Sequence, residues 1–184
     1  CQDQNYPFTE CTYENNEKVE IQYDYVNFQS YENCKDFIKN LKSENELDFE
    51  ESSYGRKAEI PDPEIVIRLT EILALAIGIG LRKIPEKLGE AVGDDVVKFY
   101  KLLTNTIKKS VLELIPKNRP IHFVVEIPID KSIVELIVTT RNPDLAINAF
   151  NQAIISQLVK EIEISIIHFN AEKIQYILNE NKEW

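Results

Sequence analysis

The stretch Ile72–Leu81 (ILALAIGIGL) runs for ten residues without a polar side chain, between Glu71 and the pair Arg82-Lys83. A helix with no polar face has to be covered on every side, so the segment is expected at the centre of whatever the chain folds into. Ten residues make about 15 Å of helix, half of what the hydrocarbon core of a bilayer requires, so the run reads as a buried helix centre and not as a transmembrane span. Asp62-Pro63-Glu64 places an N-cap, a proline and an acid ahead of it, and Pro85 ends or kinks it, which predicts a helix over 63–83. Beyond Pro85, Leu88, Val92, Val96, Phe99, Leu103, Ile107, Val111 and Leu114 keep steps of three or four through Gly89 and Gly93, predicting one long helix over 85–115. Ala74, Ala76, Gly78 and Gly80 give the first helix a small-residue face on which the glycines of the second can pack closely.

The segments around this pair are mixed. Residues 1–17 are polar and without period, and read as an arm. From Lys18, Val19, Ile21, Tyr23 and Tyr25 alternate with Glu20, Gln22 and Asp24, the pattern of a strand with one wet face that extends toward Phe28. Cys34, Phe37, Ile38 and Leu41 then form one stripe of a helix over 30–42. Leu47–Glu50 can pair as a short strand, and 51–61 reads as a linker. Residues 122–127 and 133–139 are β-rich and form a hairpin. Asn142-Pro143-Asp144 opens a further helix with Leu145, Ala149, Ala153, Ile154 and Leu158 inside, and Glu163–Phe169 alternates as a strand. The end, 172–184, fits a returning strand or a helical turn, with the strand preferred. The fold class expected is α+β. A single domain over 18–184 contains an acidic strand–helix unit (18–60), the helical pair (62–116) and a C-terminal hairpin, helix and strand (120–184). A small mixed, mostly antiparallel sheet should pack on the long central helical pair. A chain of 184 residues can bury about 70% of its unfolded surface, enough for one core without a metal or disulfide staple.

The net charge of −10 is unevenly spread: acids and bases number 15 and 6 in residues 1–62, 7 and 10 in 63–119, and 9 and 5 in 120–184. An acidic field repels phosphate backbones, which argues against nucleic-acid binding. The acidic first third and mildly basic centre are expected to attract each other. On the long helix, Lys98, Lys101, Lys108 and Lys109 stand opposite the apolar stripe, the pattern of a helix that binds an acidic partner or touches a membrane surface. The cysteines Cys1, Cys11 and Cys34 show no zinc spacing and are odd in number, which favours free thiols in a reducing cytoplasm. The alternative is an envelope lipoprotein in which Cys1 carries the lipid.

Tests for chemistry give little. Gly78-x-Gly80 has Lys83 where a dinucleotide fingerprint needs its third glycine and lies in a helix pattern, so helix packing explains it. His122 and His168, each expected near a strand end, have no ligand or triad spacing around them, and neither Ser110 nor Ser165 has a nucleophile context. Asp94-Asp95, Glu126 with Asp130, and Glu161 with Glu163 are acid pairs that could hold a metal ion only with a third ligand and a pocket; solvated acids explain them, with a carboxylate- or metal-dependent enzyme as the alternative. No catalytic residue, cofactor or metal is implied.

Taken in order, a strand, an acidic-starting helix ending in Phe37-Ile38-x-x-Leu41 with Glu44 and Leu47 after it, a loop, the small-residue helix Leu73-Ala74-Leu75-Ala76-Ile77-Gly78, more helix and a β pair resemble the effector-associated constant-component domains of bacterial conflict systems, over about residues 18–140. The resemblance implies a non-enzymatic adaptor or regulatory module that works by contact with other proteins.

Overall fold

The structure, a computed structural model, describes residues 18–25, 27–28, 31–54, 62–79, 86–114, 119–129, 132–169, 172–179 and 183–184. Along the chain come β1 (Val19–Asp24), α1 (Tyr31–Glu44), β2 (Phe49–Tyr54), β3 (Glu64–Arg68), α2 (Glu71–Ile79), α3 (Glu86–Lys109) running into a π-helical turn (Ser110–Leu114), β4 (Ile121–Ile129), β5 (Ser132–Thr140), α4 (Pro143–Ala149), α5 (Gln152–Phe169) and β6 (Lys173–Ile177). The fold is α+β, with the six strands in one mixed sheet ordered β2-β1-β3-β4-β5-β6. The pairs β1–β2, β3–β4 and β5–β6 are parallel and are each connected through helix, as parallel neighbours must be. The pairs β1–β3 and β4–β5 are antiparallel and join these three units.

Period-2 alternation decides which residues face the helices. Ile21 and Tyr23 of β1 lie in register with Ile67 and Ile65 of β3, which in turn face Val125 and Phe123 of β4. Leu136 and Val138 of β5 continue the same face. All of these belong to one core cluster, and each of the five helices contributes to it: Phe37 and Leu41 from α1, Leu73 and Ile77 from α2, Phe99 and Ile107 from α3, Ala146 from α4, Ile155 and Ile162 from α5. The stripe expected on α1 is fully buried, Cys34 included. Its thiol is pushed up to about 11, chiefly by desolvation and secondarily by Asp24. Thiolate is the reactive form, so at pH 8 the Cys34 peptide should stay unmodified by iodoacetamide in the folded protein and react fully in urea, as read by peptide mass spectrometry.

Several expectations are corrected, and the sheet is not mostly antiparallel, since three of its five strand pairs are parallel. Residues 64–68 form strand β3 and not the start of a helix, so the long central helical pair reduces to the nine-residue α2 beside the 24-residue α3. Three consecutive β-branched residues, Ile65-Val66-Ile67, lose least χ1 freedom in a strand, and β3 fills the gap between β1 and β4. Helix α2 is not covered on every side: Leu73, Ala74, Ala76 and Ile77 are buried, whereas Ile72 and Leu75 are 62% and 49% exposed. Thr70 caps it, its Oγ1 accepting from Leu73 N at 3.2 Å. Residues 163–169 continue helix α5 and form no strand. The helix opened by Asn142 ends at Ala149, and Asn151 begins the next one by accepting from Ile154 N at 3.1 Å. The preferred strand at the end of the chain is present as β6. Of the linker expected over 51–61, residues 51–54 belong to strand β2, whose pairing with β1 extends the short strand expected at 47–50; residues 55–61 and the expected arm 1–17 lie outside the described residues.

The acidic first unit docks on the basic helix. Asn105 Nδ2 donates to Asn45 Oδ1 at 3.0 Å, Lys109 pairs with Glu44, and Lys101 Nζ stands 3.6 Å from Glu46. Among the described residues no helix is long and apolar enough to cross a membrane.

Candidate functional site

The sheet face opposite the core cluster is where side-chain chemistry collects. Strand pleating sends Glu20, Arg68, Glu126, Glu135 and Gln175 to that face, and the register makes them successive neighbours across five strands. They form a continuous ladder. Glu20 Oε1 accepts from Ser52 Oγ at 2.7 Å and from Gln22 Nε2 at 2.9 Å, while its Oε2 meets Arg68 Nη1 at 3.1 Å. Arg68 Nε donates to Glu126 Oε2 at 2.5 Å, so one guanidinium bridges two strands. Glu135 is held from the other side, Oε1 by Lys173 Nζ at 2.5 Å and Oε2 by Gln175 Nε2 at 2.6 Å.

Glu126 and Glu135 sit directly opposite each other, at 7% and 6% exposure. Burial raises the Glu126 carboxyl above the ordinary glutamate range; Arg68 pulls against that rise and the Glu135 charge adds to it. The pair combines low solvation, like charge and one cation on each flank.

A second row runs beside the first. Gln22, Val66, Val124, Ile137 and Ile177 are also register neighbours, and Val66 and Val124 are buried without belonging to the core cluster. The face therefore carries an apolar row next to a charged one, buried in its middle and exposed toward β6, where Ile137 is half-buried and Ile177 59% exposed. At its far side His122 lies between Glu64 and Thr139. Its Nδ1 is 2.7 Å from Thr139 Oγ1, and its Nε2 is 3.5 Å from Asp62 Oδ2, whose other oxygen faces Arg119 Nε at 3.5 Å. This set ties Asp62, two residues before β3, to β4 and β5.

The residues singled out from sequence scatter. Lys98 is half-buried and Lys108 exposed on α3, while Lys101 and Lys109 face the acids at the end of α1, so the four lysines do not form one free surface. Cys1 and Asp130 lie outside the described residues. His168 falls in helix α5 and not at a strand end, and so do Glu161 and Glu163, which were expected to open a strand. Asp94 and Asp95 lie on α3 as expected. No group of three or more His, Cys, Asp or Glu placed to hold a metal ion occurs among the described residues. Sequence reasoning passed over Arg68, which it set inside a helix, and over Glu20 and Glu135. The signal was available for the last: Glu126 and Glu135 are each the lone charge in the middle of a strongly apolar strand, IHFVVEIPI and SIVELIVTT. Compared with protein families, with curated proteins and with solved structures, the chain matches none.

Proposed function

We propose that this chain is a non-catalytic binding module that docks a protein partner on the sheet face opposite its core cluster, at the end toward β6. The observation that carries the reading is the side-by-side arrangement of the apolar row from Val66 to Ile177 and the charged row from Glu20 to Gln175. Flat apolar strips bordered by ordered polar groups are what protein interfaces bury. The acids of the charged row are already held by Arg68, Lys173 and neutral donors, so the face is preorganised and loses little side-chain entropy on docking. Glu20, Glu50, Glu64, Glu126 and Glu135 outnumber Arg68 and Lys173 there, so the partner is a segment with an apolar stripe flanked by Lys or Arg. The resemblance to conflict-system domains supports the same class of role, an adaptor acting by contact.

A photo-crosslinking residue introduced at Ile137 or Ile177, and separately at Lys98 or Lys108, tests the reading in the source cell. Adducts at the two sheet positions with a protein whose crosslinked peptide is basic and apolar are expected. Adducts at the α3 positions alone would move the docking surface to the helical side and overturn it.

A further inference from the structure

The contacts around His122 do more than join strands, since they set a hydroxyl, an imidazole and a carboxylate one after another. His122 on β4 and Thr139 on β5 are register partners on the face opposite the core cluster, so their side chains stand side by side. Asp62 is held at the other side of the imidazole, next to Pro63, whose carbonyl accepts from His122 N at 2.9 Å. Thr139 Oγ1 is 2.7 Å from His122 Nδ1, and His122 Nε2 is 3.5 Å from Asp62 Oδ2. Arg119 Nε, 3.5 Å from Asp62 Oδ1, holds the carboxylate from behind.

The partners of the ring decide where its proton sits. A carboxylate beside Nε2 draws the proton of the neutral imidazole to that nitrogen, which leaves the Nδ1 lone pair to accept from the Thr139 hydroxyl. A hydroxyl donating to a base whose other nitrogen faces a carboxylate is the relation that activates hydroxyl nucleophiles, whatever the fold and the chain order. Thr139 is exposed, and the His122 and Asp62 side chains are about a third exposed, so an incoming group can reach the oxygen. The next hydroxyl along the strand is a contrast within the same peptide: Thr140 is 8% exposed, and its Oγ1 accepts from Asn142 N at 2.9 Å.

We propose that Thr139 is an acylation site, which takes an apolar acyl group from an activated ester or thioester with His122 as the base. Thr139 Oγ1 attacks the acyl carbonyl carbon, and the new oxygen–carbon bond replaces that carbon's bond to the leaving oxygen or sulfur. The hydroxyl proton passes to His122 Nδ1 and from there to the leaving group, so no oxidant or reductant is needed. Asp62 is a positioning residue that orients the ring and stabilises the imidazolium formed on the way. Ile137 stands two residues before Thr139 on the same face, about 7 Å away at the rise of a strand. Its register partner Ile177 is 59% exposed, so the acyl chain has an apolar track to lie on. The product is an ester on this chain, a modification and not a turnover, and the inference is independent of protein docking.

The purified full chain is incubated with para-nitrophenyl hexanoate, and the tryptic peptide 132–141, which holds no lysine, is sequenced by mass spectrometry. A hexanoyl group is expected on Thr139 and none on Thr140, with the acetate ester labelling several-fold more slowly. Thr139→Ser should keep the label and Thr139→Val should lose it. His122→Gln should slow labelling about a hundredfold, the low end of what a general base supplies, and Asp62→Asn should slow it to a smaller degree. The wild-type rate should fall as acid protonates the imidazole, and this pH dependence should move in Asp62→Asn and vanish in His122→Gln. An unlabelled peptide, label on Thr140, an unslowed His122→Gln variant, or acetate labelling as fast as hexanoate overturns the proposal.

Discussion

Arg68→Ala is expected to destabilise the folded protein by about 2–4 kcal/mol at pH 7, chiefly through the loss of its charge pairs. The guanidinium is the shared partner of Glu20 and Glu126, whose side chains are 15% and 10% exposed, and deleting it leaves both charges facing each other across the sheet. Breaking a buried pair on one side costs about 3–5 kcal/mol; a third of the Arg68 side chain is exposed, so solvent screening lowers that figure. The pH dependence identifies the cause. A carboxyl whose pKa is raised by folding binds its proton more tightly in the native state, so its favourable contribution is complete below the ordinary value of 4.5 and is lost as pH rises through the raised value. In the variant the main force lowering the Glu126 pKa is gone, so the window widens upward and the deficit shrinks as pH is lowered from neutral. Urea unfolding of wild type and variant across that range measures it. Arg68→Ala combined with Glu126→Gln should recover part of the loss at pH 7, and a deficit that stays constant with pH would show that Arg68 acts through packing and not through charge.

Phe99→Ala should cost about 3–5 kcal/mol at every pH, since the ring is fully buried in the middle of α3 and its loss leaves a cavity that a rigid helix cannot collapse into. In a domain of this size that is a fall in Tm of roughly 6–20 °C. The urea midpoint should fall with the slope unchanged, because the same surface is exposed on unfolding. Val97→Ala and Leu112→Ala, at positions 69% and 82% exposed, remove comparable side chains within about 0.5 kcal/mol and serve as controls. If Phe99→Ala were equally mild, the placement of α3 over the sheet would be wrong.

What could be read beforehand follows the strength of the local pattern. The stripe of α1, the steps of α3 and the hairpin β4–β5 were legible, because each repeats one period for two turns or more and needs only its own residues to define a buried face. Residues 64–68 misled because Asp62-Pro63-Glu64 imitates a helix start; the chain instead spends Pro63 O on His122 N, a bond to a strand nearly sixty residues away that no local signal announces. Residues 163–169 misled in the opposite way. Their isoleucines alternate like a strand, but Ile155, Leu158 and Ile162 had already set a helical spacing whose buried face joins the core cluster. The charged ladder was the least legible part, since Glu20, Arg68, Glu126 and Glu135 come from four strands and become a set only through register. The meeting of Asp62, His122 and Thr139 was unreadable for the same reason, as each comes from a separate stretch of the chain.

The order of the strands also bears on how the protein behaves when crowded. The two longest strands, β4 and β5, nine residues each and the most apolar, lie inside the sheet, where both of their ladders are taken. The outermost places go to six-residue β2, with Glu50 and Glu51 exposed, and to five-residue β6, with Lys173 exposed. Short, charged outer strands make poor templates for another chain, so growth of sheet upon sheet has to begin from a partly unfolded molecule in which β4 or β5 is uncovered.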